Sequence, residues 1–394
     1  MNIFAELGLS KPTLLALEEC EFTEPTEIQS KCIPLILAGQ DIMGSAQTGS
    51  GKTAAYVLPT IELLKAHNPR PRCLVLVPTR ELALQVELQV NRFGKHSKLR
   101  TVTLYGGTGY EKQNRLLRRG VDVIVATPGR LLDCVERRTA DLSGIEILIL
   151  DEADRLLDMG FMPQVRRVVS QIPKKRQTLM LSATIDRRIE QLAGDLLVNP
   201  TRVQSTNKQV EPVSIDQKFF HVNEFGKDAL LLKLLQEVTV DAPMESVLVF
   251  TKTRRKAAWV KDRLRDASIS AEEIHGDISQ SQRERTLARY RAGAFPVLVA
   301  TDVAARGLDI PTISHVINYD LPESPEDYVH RIGRTGRAGK SGIAFSFVGE
   351  NQRYLVRDIE KVIGRQLDEN SQLHKTARPM ARPRRPFKPA ARRR

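Results

Sequence analysis

The chain has 394 residues, room for two domains, and its 41% hydrophobic content lets each half build a core. A formal charge of +13 favours a polyanionic partner through counterion release, nucleic acid above all. No run approaches the roughly 18 apolar residues of a membrane span, residues 1–6 lack a basic stretch leading into an apolar one, and Cys20, Cys32, Cys73 and Cys134 have no metal-like spacing, which together exclude membrane-spanning and disulfide-built classes and lead us to expect a soluble cytoplasmic protein with reduced thiols.

In chain order, residues 41–45 can form a strand that feeds a glycine-rich turn, Ala46-Gln47-Thr48-Gly49-Ser50-Gly51-Lys52-Thr53, with a helical stretch from Ala54. Short β-branched runs follow at 73–77, 121–125, 145–150 and 178–181, separated by longer helical patterns. A polar stretch at 204–212 lacks apolar periodicity and ends in Pro212, which reads as an interdomain linker. Further runs lie at 247–250, 297–299, 315–318 and 343–347. Near-continuous apolar strands suit parallel sheets covered on both faces, and strand-helix alternation implies right-handed βαβ units. The expected architecture is therefore two α/β domains, 1–204 and 214–365, joined by 205–213. The tail, 366–394, is expected to be disordered, since 375–394 carries basic residues and prolines but no acid.

The turn at 46–53 has the composition of a phosphate loop. Glycines let backbone N–H groups converge on phosphate oxygens, and the helix N-terminus adds its dipole. Lys52 would neutralise the β- and γ-phosphates, and Thr53 would bind Mg²⁺. Asp151 ends the 145–150 strand, within reach of a Mg²⁺ shell, and Glu152 beside it can orient the attacking water. As N-capping acids of the next helix they would do only half of this. The hydroxyls of Ser182 and Thr184 end the next strand and could bond Asp154, linking nucleotide state to the other face. In the second half, His330-Arg331-Ile332-Gly333-Arg334-Thr335-Gly336-Arg337 is basic and glycine-spaced, in a domain without a phosphate loop of its own. It would act on the nucleotide of the first domain.

These elements fall in a family order. Pro78-Thr79-Arg80-Glu81-Leu82, Gly106-Gly107, Thr127-Pro128-Gly129-Arg130 and Asp151-Glu152-Ala153-Asp154 follow the phosphate loop, and Phe22 with Pro25-Thr26-Glu27-Ile28-Gln29 precedes it. The chain resembles a DEAD-box RNA helicase of superfamily 2 over about residues 1–365, which implies two tandem RecA-like domains. It departs from the family pattern at Ala46 and Glu21, where glycine is usual. By the resemblance Gln29 bonds adenine and Phe4 stacks on it. Gly307 and Asp309 face the ATP, and Arg334 and Arg337 are arginine fingers on the transferring phosphate. His330 and Arg331 organise the interdomain contact. Pro78, Thr79, Arg80, Gly107, Thr127, Pro128, Gly129, Arg130, Thr251, Gly276 and Thr301 hold RNA, with Gln280 and Arg283 supporting that surface. The compact start before Phe4 resembles bacterial members.

Aromatic residues make up 5% of the chain and form no stacking ladder, so the expected grip is on backbone and 2′-OH groups, tolerant of sequence. The expectation is a monomeric, Mg²⁺- and ATP-dependent enzyme that melts short structured RNA non-processively, in ribosome assembly on precursor particles or with RNA-decay proteins. An ATP-gated RNA clamp with little unwinding and a DNA translocase of the same superfamily are the alternatives.

Overall fold

The computed structural model describes residues 3–46, 50–205, 215–237, 246–305, 313–336, 341–363, 366 and 368–369. Gln47, Thr48, Gly49, Gly307, Asp309, Arg337, nearly all of the expected linker and the tail beyond 369 lie outside them. The residues gather into two compact units, each around one sheet.

The first sheet has seven parallel strands: β1 (Ile42–Ser45), β2 (Cys73–Leu76), β3 (Thr101–Leu104), β4 (Val123–Ala126), β5 (Ile147–Leu150), β6 (Gln177–Ser182) and β7 (Thr201–Gln204). Their order in space is β3-β4-β2-β5-β6-β1-β7. β1, β2, β4 and β5 are buried at every position, as a sheet with helices on both faces requires. The Lys52–Leu64 helix buries ten of its residues from Lys52 to Leu64 and packs against the Glu27–Leu37 helix. Two buried acids tie the amino ends of the strands. Asp41 accepts the Thr178 and Val198 amides, both at 2.7 Å. Asp122 accepts from the Asn68 amide at 2.7 Å, the Arg100 amide at 2.9 Å and Arg72 at 3.0 Å. Burial alone would raise the Asp122 carboxyl, but these donors and His67 hold it below its ordinary value.

The second sheet is built the same way from β8 (Ile215–His221), β9 (Val247–Thr251), β10 (Ala271–Ile274), β11 (Val297–Thr301), β12 (His315–Asn318), β13 (Gly342–Val348) and β14 (Asp368–Glu369). The order is β10-β11-β9-β12-β13-β8-β14, again all parallel. Among the described residues no helix is long and apolar enough to cross a membrane.

The strands that sequence reading missed are β3, β7, β8, β10 and β14, which lie at or beside the sheet edges. Edge strands are less enclosed and need no continuous apolar run: β8 alternates buried Ile215, Gln217 and Phe219 with exposed or half-exposed Asp216 and Lys218. Gln204, which opens the polar stretch and ends the expected first domain, closes β7 opposite Ser45. Two residues of the expected tail, Asp368 and Glu369, pair with Lys218 and Phe219 of β8.

Candidate functional site

Strand order divides the carboxyl edge of the first sheet in two. β5, β6 and β1 are neighbours, and their ends lead into Asp151, Ser182 and Ala46. β3, β4 and β2 are neighbours, and their ends lead toward Gly106-Gly107, Thr127 and Pro78. Open parallel sheets bind ligands along this edge.

On the β5-β6-β1 half, the Ala46 amide donates to the Ser182 carbonyl at 3.2 Å, extending the β1–β6 ladder to the start of the loop. Gly51 caps the Lys52–Leu64 helix at φ +88°, and a Cβ there would collide with Gln29 Nε2, so both the backbone and the space demand glycine. Gln29 is 1% exposed. Its Oε1 accepts the Thr26 amide at 3.0 Å and its Nε2 donates to the Gly51 carbonyl at 3.2 Å, joining the Phe22–Gln29 segment to the glycine-bearing turn. Lys52 is buried, and its ammonium donates back to the Ala46 carbonyl across the loop. Ser50 and Thr53 are half-exposed beside it.

Asp151 is 2% exposed. Its Oδ2 accepts the Tyr56 phenol at 2.8 Å, and its Oδ1 accepts the Glu152 amide at 2.9 Å. Burial pushes this carboxyl above its ordinary value, against the pull of the Lys52 charge and the two donors. Asp151 and Thr53 supply hard oxygen donors, one carboxylate and one hydroxyl. That set fits Mg²⁺, which keeps several waters and takes other ligands from phosphate. Glu152 sits in the left-handed region at φ +50° and ψ +52°, at the head of the Ala153–Asp158 helix. A non-glycine residue there costs of order 1–3 kcal/mol, a strain typical of functional positions. Asp154 accepts the Ala183 and Thr184 amides at 3.1 and 3.2 Å and the Thr184 hydroxyl at 3.3 Å.

Two expectations for this half need correction. Ser182 does not bond Asp154: its hydroxyl is buried without a hydrogen-bond partner among the described residues, and the Ala183 amide takes that place. Phe4 is 0% exposed in the core beside the Glu27–Leu37 helix, so its ring has no open face for adenine.

On the β3-β4-β2 half, Pro78 and Thr79 are buried and Thr79 Oγ1 caps the Arg80–Phe93 helix by accepting the Leu82 amide at 3.2 Å. The Arg80 guanidinium lies 4.2 Å from the Tyr105 ring centre. Thr127 holds the N-cap position of the Pro128–Glu136 helix without a side-chain cap, its hydroxyl donating instead to the Leu104 carbonyl at 3.5 Å. Gly106, Gly107, Gly109 and Gly129 are exposed, and a Cβ on any of them would meet nothing within 4 Å. Gly107 needs its φ of +80°, but Gly129 has no such reason within the protein. Bare backbone there suits close approach by an external group.

Arg130 corrects a further expectation. It is 7% exposed, stacks 4.2 Å from the Tyr110 ring centre, and donates to Gln113 Oε1 at 3.0 Å and the Thr108 carbonyl at 2.9 Å. Its donors brace the two loops internally. Gln113, which sequence reading missed, completes the brace by donating to the Tyr105 carbonyl at 3.3 Å and the Thr108 hydroxyl at 3.0 Å. It is the one buried side chain of the Tyr110–Arg118 helix, a mid-helix amide with no local signal to mark it.

In the second unit, β10, β11 and β9 are neighbours, bringing Gly276, Thr301 and Thr251 to one stretch of edge. Gly276 is exposed with open space at its Cβ. Thr301 pairs with Thr251 in register and is buried. Thr251, expected to touch RNA, is 0% exposed, its hydroxyl turned to the Thr253 and Ala300 carbonyls at 3.4 and 3.5 Å. Arg331, expected at an interdomain contact, is 3% exposed. Its guanidinium holds both Asp302 oxygens at 2.6 Å, Asn318 Oδ1 at 3.0 Å and the Asp320 carbonyl at 2.7 Å, so all three nitrogens are engaged inside its own unit. His330 and Arg334 are half-exposed, and the Arg334 amide donates to the Arg331 carbonyl at 3.1 Å.

A strand running through a glycine-bearing turn into a buried lysine and helix, with an acid at a neighbouring strand end, defines a phosphate-loop α/β protein. Residues 26–192 match the DEAD/DEAH box helicase family and residues 226–339 the helicase conserved C-terminal domain. The chain is 42% identical over 368 residues to the DEAD-box ATP-dependent RNA helicase CshA of Bacillus cereus, covering 93% of this chain and 69% of that one. It is 40% identical over 365 residues to CshA of Bacillus subtilis, covering 93% and 73%. Among solved structures, Saccharomyces cerevisiae Dbp5 bound to RNA and ADP BeF3 is similar with a TM-score of 0.82 and 33% identity, over 92% of this chain and 93% of that one. Mss116p bound to ssRNA and AMP-PNP gives 0.81 at 28% identity, over 92% and 77%. The chain belongs to the DEAD-box ATP-dependent RNA helicase family.

Proposed function

We propose that this protein is an ATP-dependent RNA helicase that couples ATP hydrolysis to local, non-processive melting of structured RNA. The observation that carries this reading is the divided carboxyl edge: a buried lysine, a buried aspartate and a strained glutamate on one half, and open backbone glycines on the other. On the first half Lys52 holds the β- and γ-phosphates and Glu152 orients water for in-line attack. Asp151 and Thr53 would hold Mg²⁺, which neutralises charge on the phosphates when bound. Asp154 links β5 to the end of β6, so a change at the nucleotide is felt by both strands. On the second half Thr127, Gly129, Gly107 and Arg80 receive RNA backbone, without reading bases. Arg334 and Arg337 of the second domain stabilise charge on the transferring phosphate.

We further propose that the protein acts as a cytoplasmic monomer on structured RNA, in ribosomal precursors or in association with RNA-decay proteins. The basic 375–394 segment, with no acid, serves as a sequence-blind RNA tether. Phosphate release with and without RNA, together with melting of a short duplex, tests the central reading. Wild type should show RNA-stimulated turnover and duplex melting, and Lys52→Ala should lose both. Near wild-type turnover by Lys52→Ala would remove the site, and turnover without melting would favour the clamp. RNA crosslinked in cells to Glu152→Gln identifies the target.

A further inference from the structure

The Tyr110–Arg118 helix starts directly after the Gly106–Gly109 turn and runs beside the edge strand β3. One side of it is fixed by Gln113 to both loops of the β3-β4-β2 half. At about 100° per residue, Lys112, Arg115, Arg118 and Arg119 fall within an arc of roughly 120° centred opposite Gln113 and Leu117. All four are exposed, and Glu111 is the one acid of the segment 110–119. Among the described residues no ion pair engages Arg115 or Arg118, while Lys112 feels the half-buried Glu87 carboxylate of the Arg80–Phe93 helix. Cations near the last turn complement the helix dipole, which accounts for Arg115 and Arg118. It does not account for Lys112 in the first turn, where the dipole is unfavourable and Glu87 offsets it only in part. Like charges three residues apart also repel one another. A row of phosphates relieves both penalties. The helix is about 13 Å long, enough for roughly two or three successive phosphates.

We propose that the Lys112–Arg115–Arg118 face is an accessory RNA-backbone site, holding the strand after it leaves the β3-β4-β2 edge on the β3 side. The site rests on the reading of that edge as RNA-facing, and it is continuous with it through the Gly106–Gly109 turn. Gln113 gives it a fixed register, because the same side chain that anchors the helix also anchors the loops. An RNA long enough to pass the edge gains affinity from this face, and a short one does not.

The test uses the full chain with Mg²⁺ and a non-hydrolysable ATP analogue. Fluorescence anisotropy over a salt series compares a short single-stranded RNA with one extended at both ends, for wild type and for K112A/R115A/R118A. Wild type should bind the extended RNA more tightly. The variant should lose about tenfold on the extended RNA only, and its log-log salt slope there should fall by roughly 2, at roughly 0.7 per lost contact. The 375–394 segment is present in both proteins, so its contribution cancels. The charge-keeping variant K112R/R115K/R118K should retain the wild-type slope. Equal affinity and slope for wild type and K112A/R115A/R118A on the extended RNA would overturn the site while leaving the edge reading intact. Equal weakening on both RNAs would also overturn it, by making the face part of the primary edge. If wild type binds neither RNA, the edge reading fails, and the accessory site with it.

Discussion

The Tyr56 phenol and the Asp151 carboxylate meet at 2.8 Å with both side chains buried, in the helix after the phosphate loop and at the end of β5. A donor from the loop's own helix thus holds the carboxylate in place before any ligand arrives. Burial still raises the Asp151 carboxyl, so the ligand-free fold carries a charge it would rather protonate. Its folded value lies above its unfolded one. The native state therefore binds more protons between the two, and the contribution to stability is complete below the unfolded value and lost as pH rises through the folded one.

Asp151→Asn should therefore stabilise the ligand-free protein at neutral pH and flatten this part of its pH dependence, while turnover collapses. Thermal melts from pH about 4 to 8 in the absence of nucleotide check the sign. A melting temperature that falls at neutral pH would mean that Asp151 is held by favourable pairing rather than strained by burial. Added Mg²⁺ and ATP should narrow the difference, because wild type gains binding energy that the variant lacks.

Glu152 offers a second trade of stability for activity. Glu152→Gly removes the left-handed strain at φ +50° and should leave the fold as stable as wild type or up to about 1 kcal/mol more so. Glu152→Gln keeps the shape and the strain but loses the carboxylate. Both should hydrolyse ATP slowly, and Glu152→Gln should hold RNA with ATP for longer than wild type. RNA release on ATP addition at the wild-type rate would take the water-orienting role from Glu152.

How far the sequence could be read follows from where each residue sits. The central strands announce themselves because burial on both faces demands unbroken apolar runs, as in Ile147–Leu150. The edges hide because their sequences are mixed: β3 alternates threonine with Val102 and Leu104 although three of its positions are buried, and β7 leaves Arg202 and Gln204 exposed. Backbone-driven motifs were legible in the same way: Gly51 must be glycine wherever a left-handed cap meets Gln29. Side-chain direction was not. Arg130 lies in the first turn of the helix after β4 and Thr251 closes β9, both in polar motifs at strand ends, yet one turns into Gln113 and Tyr110 and the other into β11. Neither the spacing nor the composition of a loop says which of its polar groups supports it from inside. The split of the carboxyl edge was likewise invisible, since it comes from the order β3-β4-β2-β5-β6-β1-β7 and not from chain order.

Arg334→Ala should lower turnover by roughly a thousandfold, the usual scale of an arginine finger. Arg331→Ala should behave differently despite lying three residues away. It takes the guanidinium from Asp302, the Asn318 Oδ1 and the Asp320 carbonyl, while Asn318 Nδ2 keeps Ser346, and should destabilise the second unit by about 1–3 kcal/mol, the scale for polar groups left without their partner. Melting curves and single-turnover rates on the two variants separate the roles. Equal turnover by Arg334→Ala and wild type at saturating RNA would remove the finger.

Gln113 tests whether the brace behind the edge proposed to receive RNA matters for function. Gln113→Leu is close in size but cannot bond Tyr105, Thr108 or Arg130, and it leaves the Arg130 guanidinium short of a buried acceptor. The stability loss should be about 1–3 kcal/mol, the cost of an unsatisfied buried polar group. A merely structural role would stop there. A positioning role adds a split in the kinetics: the loops that receive RNA lose their common register, so the RNA concentration for half-maximal turnover should rise about tenfold while kcat at saturating RNA changes little. Gln113→Glu keeps an acceptor for Arg130 and should recover most of the RNA affinity, though it cannot donate to Tyr105. A parallel fall in kcat with unchanged RNA dependence would show that the brace serves the nucleotide half instead. An unchanged RNA dependence in a fully folded Gln113→Leu would show that the two loops hold their register without it.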